Sequence, residues 1–178
     1  MDALDKLCPG QLYLVIAPRS HGKDLMSTCI AHLALAGPVN VLDGGNVFDA
    51  YCVARLIRLQ THELSAVMDR VVIRRAFTCY QMTALLAVVS TGGYGEPVVV
   101  LDMLSTFADE NVPSKERMRL FQQNLSKLQD LAHKSLTLVG VTPTANPDCQ
   151  GYLARLVEAA GQFWRFEPYL EPVQPRLL

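Results

Sequence analysis

The stretch Ala17-Pro18-Arg19-Ser20-His21-Gly22-Lys23-Asp24 follows directly on the apolar run Leu12–Ala17 and precedes a segment of helical spacing. A Gly-Lys pair at the carboxyl end of a strand, opening a helix, has the means to hold a phosphate group. Loop amides turn inward, the positive end of a helix faces the anion, and an ammonium group reaches its oxygens. The pattern that does this is G-x-x-x-x-G-K-[ST], whose final hydroxyl binds Mg²⁺. Gly22 and Lys23 are in place, while Ala17 stands where the first glycine belongs and Asp24 where the hydroxyl belongs. Arg19, Ser20 and His21 complete the stretch that would line such a loop. Further on, Val98-Val99-Val100-Leu101 ends in Asp102, an apolar strand delivering a carboxylate that can hold the shell of a Mg²⁺ ion.

These residues need elements to position them, and the pattern supplies strands alternating with helices. The strand Leu12–Ala17 is apolar throughout, as in a parallel sheet covered on both faces. A helix from about Gly22 to Ala36 carries Met26, Ile30, Leu33 and Ala34 on one stripe, and Gly37-Pro38 ends it. Strand Val39–Asp43, a helix near Ala50–Leu59, a short helix around Leu64–Asp69 and strand Val71–Arg74 follow. A helix over roughly Tyr80–Val89 and a Gly-rich turn lead to Val98–Asp102. The spacing of Met118, Phe121, Leu125, Leu128 and Ala132 predicts a helix over Ser114–Lys134 with Ser114 as its N-cap. Strand Leu136–Val141, a helix near Gly151–Ala160 and a buried last strand, Phe163–Phe166, complete the reading. Alternation of this kind implies right-handed crossovers and one mostly parallel sheet with helices on both faces. Ligands in such sheets sit at the carboxyl ends of the strands.

The chain has 178 residues, half of them apolar, and a formal charge of −1. That content excludes a disordered chain, and the length suits a single domain over 1–178, with a core of about 12–167 and an extended tail over 168–178. Near-zero charge gives no support to nucleic-acid binding. No apolar run approaches the roughly 20 residues of a membrane span, and the segment MDALDKLCPG lacks the form of a secretory signal. Five scattered cysteines (Cys8, Cys29, Cys52, Cys79, Cys149) without a C-x-x-C pair point to reduced thiols and a cytoplasmic location. No histidine set has zinc-site spacing, and there is no G-x-S-x-G.

The order of the blocks resembles the RecA-like recombinase ATPases, a family of phosphate-loop NTPases. APRSHGKD aligns with their G-P-E-S-S-G-K-T, and VVVLD looks like their Walker B strand. VLDGGNVFDAYCVARLIRL is similar to their I-D-T-E-G-T-F-x-x-x-R-L-x-x-I-A, and VVIRRAFTCYQMTALL to their N-V-x-x-A-R-A segment. The resemblance covers Leu12 to Thr144. It implies a RecA-type core in which the strand Leu136–Val141 lies between the phosphate-loop strand and the Walker B strand. It also implies ATP or ADP with Mg²⁺ as ligand, held by Arg19 to Asp24, with Asp102 and Asp24 on the metal. Implied partners are other RecA-like or DNA-repair proteins.

Three departures fall on the chemistry. Asp24 replaces the metal-binding hydroxyl, and two unit charges ~4 Å apart at an effective dielectric near 20 repel by about 4 kcal/mol, which a metal would have to offset. The family's catalytic glutamate aligns with Gly45, and glycine cannot act as a general base. The family's polar sensor falls in Val141-Thr142-Pro143-Thr144, where Thr142 is the one candidate. Asp43 and Asn46 lie near the site, and both are also ordinary tight-turn residues. The stretches Leu104–Val112 and Thr142–Gln150, where the family's DNA-binding loops fall, hold no Lys or Arg. Arg74-Arg75 reads as a solvated or salt-bridged pair. The eleven residues before the first strand leave no room for the family's oligomerising linker strand, so oligomers are expected only through other surfaces.

The expectation is therefore a RecA-like accessory or regulatory protein, in DNA repair or recombination, with a degenerate ATP site and no efficient hydrolysis. Two alternatives stay open. One is an active Mg²⁺-dependent ATPase acting on DNA, using Asp24 and Asp102 with a base from another subunit or from Glu96. The other is a ligand-free protein-interaction scaffold.

Overall fold

The computed structural model describes residues 7–92 and 95–167. Six strands form one all-parallel sheet: β1 (Leu12–Ile16), β2 (Val39–Asp43), β3 (Val71–Arg75), β4 (Val98–Leu101), β5 (Thr137–Val141) and β6 (Gln162–Arg165). Their order across the sheet is β3-β2-β4-β5-β1-β6. β5 thus lies between β1 and β4, an arrangement consistent with a RecA-type core.

Every residue of the four inner strands is buried, which is why their sequences are apolar runs and not alternating ones. One face carries α1 (Arg19–Ala36), α2 (Ala50–Arg58) and α3 (Leu64–Met68), which cover Tyr13, Val15, Val41, Val99 and Leu138. The other carries α4 (Cys79–Ser90), α5 (Ser114–Lys134) and α6 (Pro147–Ala159), which cover Leu14, Ile16, Leu42, Val100 and Val139. All five cysteines are free thiols.

Four expectations are corrected. α1 begins at Arg19, three residues before Gly22. Pro18, at φ −52°, leads straight into the first turn, and the Gly22 N–H donates to the Pro18 carbonyl at 2.7 Å. The N-cap of α5 is Pro113, so Ser114 is its first helical residue and makes no capping bond. α6 starts at Pro147, because Asn146 caps it by accepting from the N–H groups of Asp148 and Cys149. Finally, β6 is an edge strand, not a buried one, and Phe163 is 46% exposed. The expected tail, 168–178, lies outside the described residues. Among the described residues no helix is long and apolar enough to cross a membrane.

Candidate phosphate site

The carboxyl ends of β1, β4 and β5 meet the first turn of α1. Two residues, Ala17 and Pro18, separate β1 from α1, too few to wrap an anion. The N–H of Gly22 is consumed inside the helix. A β-carbon at Gly22 would make ordinary contact with Ala17 at 3.4 Å, so this position does not require glycine. The helix start is uncapped, and its first N–H groups, at Arg19, Ser20 and His21, have no acceptor within the helix. The cavity beneath it, lined by Ala17, Gly22, Lys23, Met26, Asp102 and Thr142 among others, holds about 20 Å³. That is room for roughly one water molecule, not a nucleotide.

Lys23 points instead to α2. Its Nζ lies 2.9 Å from Oδ2 of Asp49, the N-cap of that helix, whose other oxygen accepts from the Cys52 N–H at 3.0 Å. The hydrogen bond to Asp49 raises the Lys23 pKa above 10.5. The bond from the Cys52 N–H, then that from Lys23, hold the Asp49 carboxyl below its usual value. Sequence reasoning missed Asp49. Its place before a helical run marks a cap, but no local spacing brings it to Lys23.

Asp102 is buried, with left-handed backbone (φ 47°), and both carboxylate oxygens are engaged by the chain. Oδ1 accepts from the Thr142 N–H at 3.1 Å, and Oδ2 accepts from the Ser105 hydroxyl at 2.9 Å. Thr142 therefore meets Asp102 through its backbone. Gly45 presses on the same carboxylate: a β-carbon there would fall 2.6 Å from the Asp102 Cβ and 2.7 Å from Oδ2. Asp43 accepts from the N–H groups of Val47 and Phe48, and Asn46 has φ 50°, so both serve the turn.

The remaining site residues are dispersed. The Arg19 guanidinium donates to the Gly45 carbonyl at 3.4 Å. The His21 ring stacks on Phe166 at 5.1 Å, and Ser20 is exposed. Asp24 is exposed and does not line the cavity, so it is not brought to Asp102. Among the described residues no group of three or more His, Cys, Asp or Glu side chains could hold a metal. These residues do not fit ATP with Mg²⁺ in this arrangement.

No protein-family model matches the chain, and no curated protein matches it. Arg74 and Arg75 at the far edge are internal partners: Arg74 donates to the Asn40 side chain at 2.7 Å, and Arg75 lies 3.5 Å from Asp43.

Proposed function

We propose that this chain is a RecA-like accessory or regulatory protein that works by contact with other proteins and does not turn over nucleotide. The reading rests on where apolar surface remains exposed. Among the described residues, seven of the eight exposed large hydrophobic side chains lie on or beside α2, β3 and α4. They are Tyr51, Leu59, Val72, Ile73, Phe77, Tyr80 and Val88, and β3 among them is an edge strand. Exposed apolar side chains on the helices that flank both sides of an unpaired strand edge favour an interaction surface there. The engagement of Lys23 and Asp102 by the chain's own groups supports the same reading. A role in DNA repair or recombination, with other RecA-like proteins as partners, follows from the resemblance in strand order and sequence blocks alone.

The test is co-expression with the RecA-like proteins of the same source, with size-exclusion chromatography to read complex formation. A complex lost in Ile73→Glu and Phe77→Ser, with circular dichroism unchanged, is the expected result. Calorimetry of ATP and ADP, with and without Mg²⁺, is expected to give no binding. Mg²⁺-dependent turnover abolished by Lys23→Ala would overturn the reading in favour of an active ATPase.

A further inference from the structure

At the opposite end of the sheet, where the strands begin, a second cavity of about 210 Å³ opens between α4, α5 and the starts of β2 and β4. It is some ten times the volume of the cavity at the phosphate-loop position. It is smaller than the ~300–1,000 Å³ of sites for drug-sized ligands, so an occupant would have few heavy atoms.

Its polar side is a three-residue chain that runs from buried Asn40 to half-buried Arg74 and exposed Glu96. Asn40 of β2 is 8% exposed, and its amide lies between two charges. The Arg74 guanidinium donates to Oδ1 at 2.7 Å, and Nδ2 donates to the Glu96 carboxylate at 2.7 Å. The partners fix the amide's orientation, since a guanidinium only donates and a carboxylate only accepts. A direct forked pair between Arg74 and Glu96 would be a stronger contact than either bond to a neutral amide. Asn40 instead holds opposite charges apart at the wall of a cavity. Its two bonds use one of the five guanidinium N–H donors and one carboxylate oxygen.

Lys134, which has an interaction of its own, stands on the α5 side, and Val89, Val98 and Leu131 form an apolar wall with the exposed Val88 at its rim. An isolated anion would meet Glu96, and an isolated cation would meet Arg74. A small molecule carrying both charges satisfies both ends and lays an apolar group on the wall. We propose that this cavity binds a free α-amino acid with a small aliphatic side chain, its carboxylate toward Arg74 and its ammonium toward Glu96.

The probes are glycine, L-valine and L-leucine, with acetate and isopropylamine as single-charge controls, titrated into the wild-type chain by calorimetry and by thermal shift. Saturable binding of valine or leucine is expected, with each control weaker by about tenfold or more. Glu96→Gln is expected to weaken amino-acid binding by about tenfold while leaving the melting temperature of the free protein within a degree or two. No response to any amino acid at ~10 mM, where a millimolar site would raise the melting temperature, overturns the proposal and leaves the cluster a staple. An equal response to acetate overturns it too, in favour of a simple anion site.

Discussion

Gly45 and Asp102 are in contact across the carboxyl ends of β2 and β4, so closely that a β-carbon at position 45 would lie 2.7 Å from the Asp102 carboxylate. By the resemblance drawn from the sequence, position 45 is where a catalytic glutamate would fall, and the Asp102 side chain occupies the space that a side chain there would need. Gly45→Glu is therefore expected to destabilise the fold by about 1–3 kcal/mol through overpacking, with like-charge repulsion added. It is expected to create no ATPase activity. Urea midpoints and a phosphate-release assay check both parts, and a stable variant that hydrolyses ATP would refute the account.

The Lys23–Asp49 pair gives a titration prediction. Asp49→Asn removes the carboxylate whose charge-assisted hydrogen bond raises Lys23, so the Lys23 ammonium is expected to return toward 10.5, read by NMR of the labelled side chain. Asp49 titrates low in the folded state, so its contribution to stability is present above the ordinary aspartate range and is lost as pH falls through the lowered value. Lys23 titrates high, so its contribution is complete below 10.5 and is lost as pH rises through the raised value. In Asp49→Asn both dependences are expected to shrink in pH-resolved denaturation.

Burial pushes the Cys29 thiol up to about 11 and raises Cys79 and Cys149 as well, whereas Cys8 is exposed. Reaction with a chromogenic disulfide at pH 8 is expected to modify Cys8 rapidly and Cys29, Cys79 and Cys149 only on unfolding. Fast modification of four or five thiols in the folded chain would contradict the packing described.

Asn124 on α5 is fully buried, and neither its amide nitrogen nor its amide oxygen has a protein partner. An unpaired buried polar group costs about 1–3 kcal/mol. Asn124→Leu, similar in size, is expected to raise stability by that order in urea denaturation. A loss of stability would mean that an ordered water satisfies the amide.

Arg117 is also buried but is tied at both ends. Nη1 donates to the Phe107 carbonyl at 3.0 Å, and Nη2 lies 2.7 Å from the half-exposed Asp148 carboxylate. Arg117→Met is expected to cost about 1–3 kcal/mol and to loosen the turn Met103–Phe107 and the start of α6, read by hydrogen exchange. Uniform exchange rates in the two segments would refute the link.

Much of the fold was legible because the inner strands must be apolar on both faces, which Leu12–Ile16 and Val98–Leu101 announce without neighbours. The resemblance implied one neighbour relation, the strand Leu136–Val141 between the first strand and Val98–Asp102, and the sheet has β5 between β1 and β4. The candidate site was legible only as a set of residue types. Whether Arg19-Ser20-His21 forms a loop or a helical turn depends on alternatives that both suit those residues, and nothing local forbids the helix that forms. Asp49 as the partner of Lys23, and Gly45 against Asp102, are long-range meetings that no periodicity encodes. The edge position of β6 escaped because Phe163-Trp164 has the composition of a buried strand, and exposure there is decided by what lies beyond it.

The strand order also bears on how the chain is made. β1 has β5 and β6 as its neighbours, and neither exists until residue 137 has been synthesised. At ~5–20 residues per second, Leu12–Ile16 waits roughly 6 to 24 seconds with both edges bare. β2, β3 and β4 can pair with one another in that interval, so the first strand to emerge is among the last to be paired.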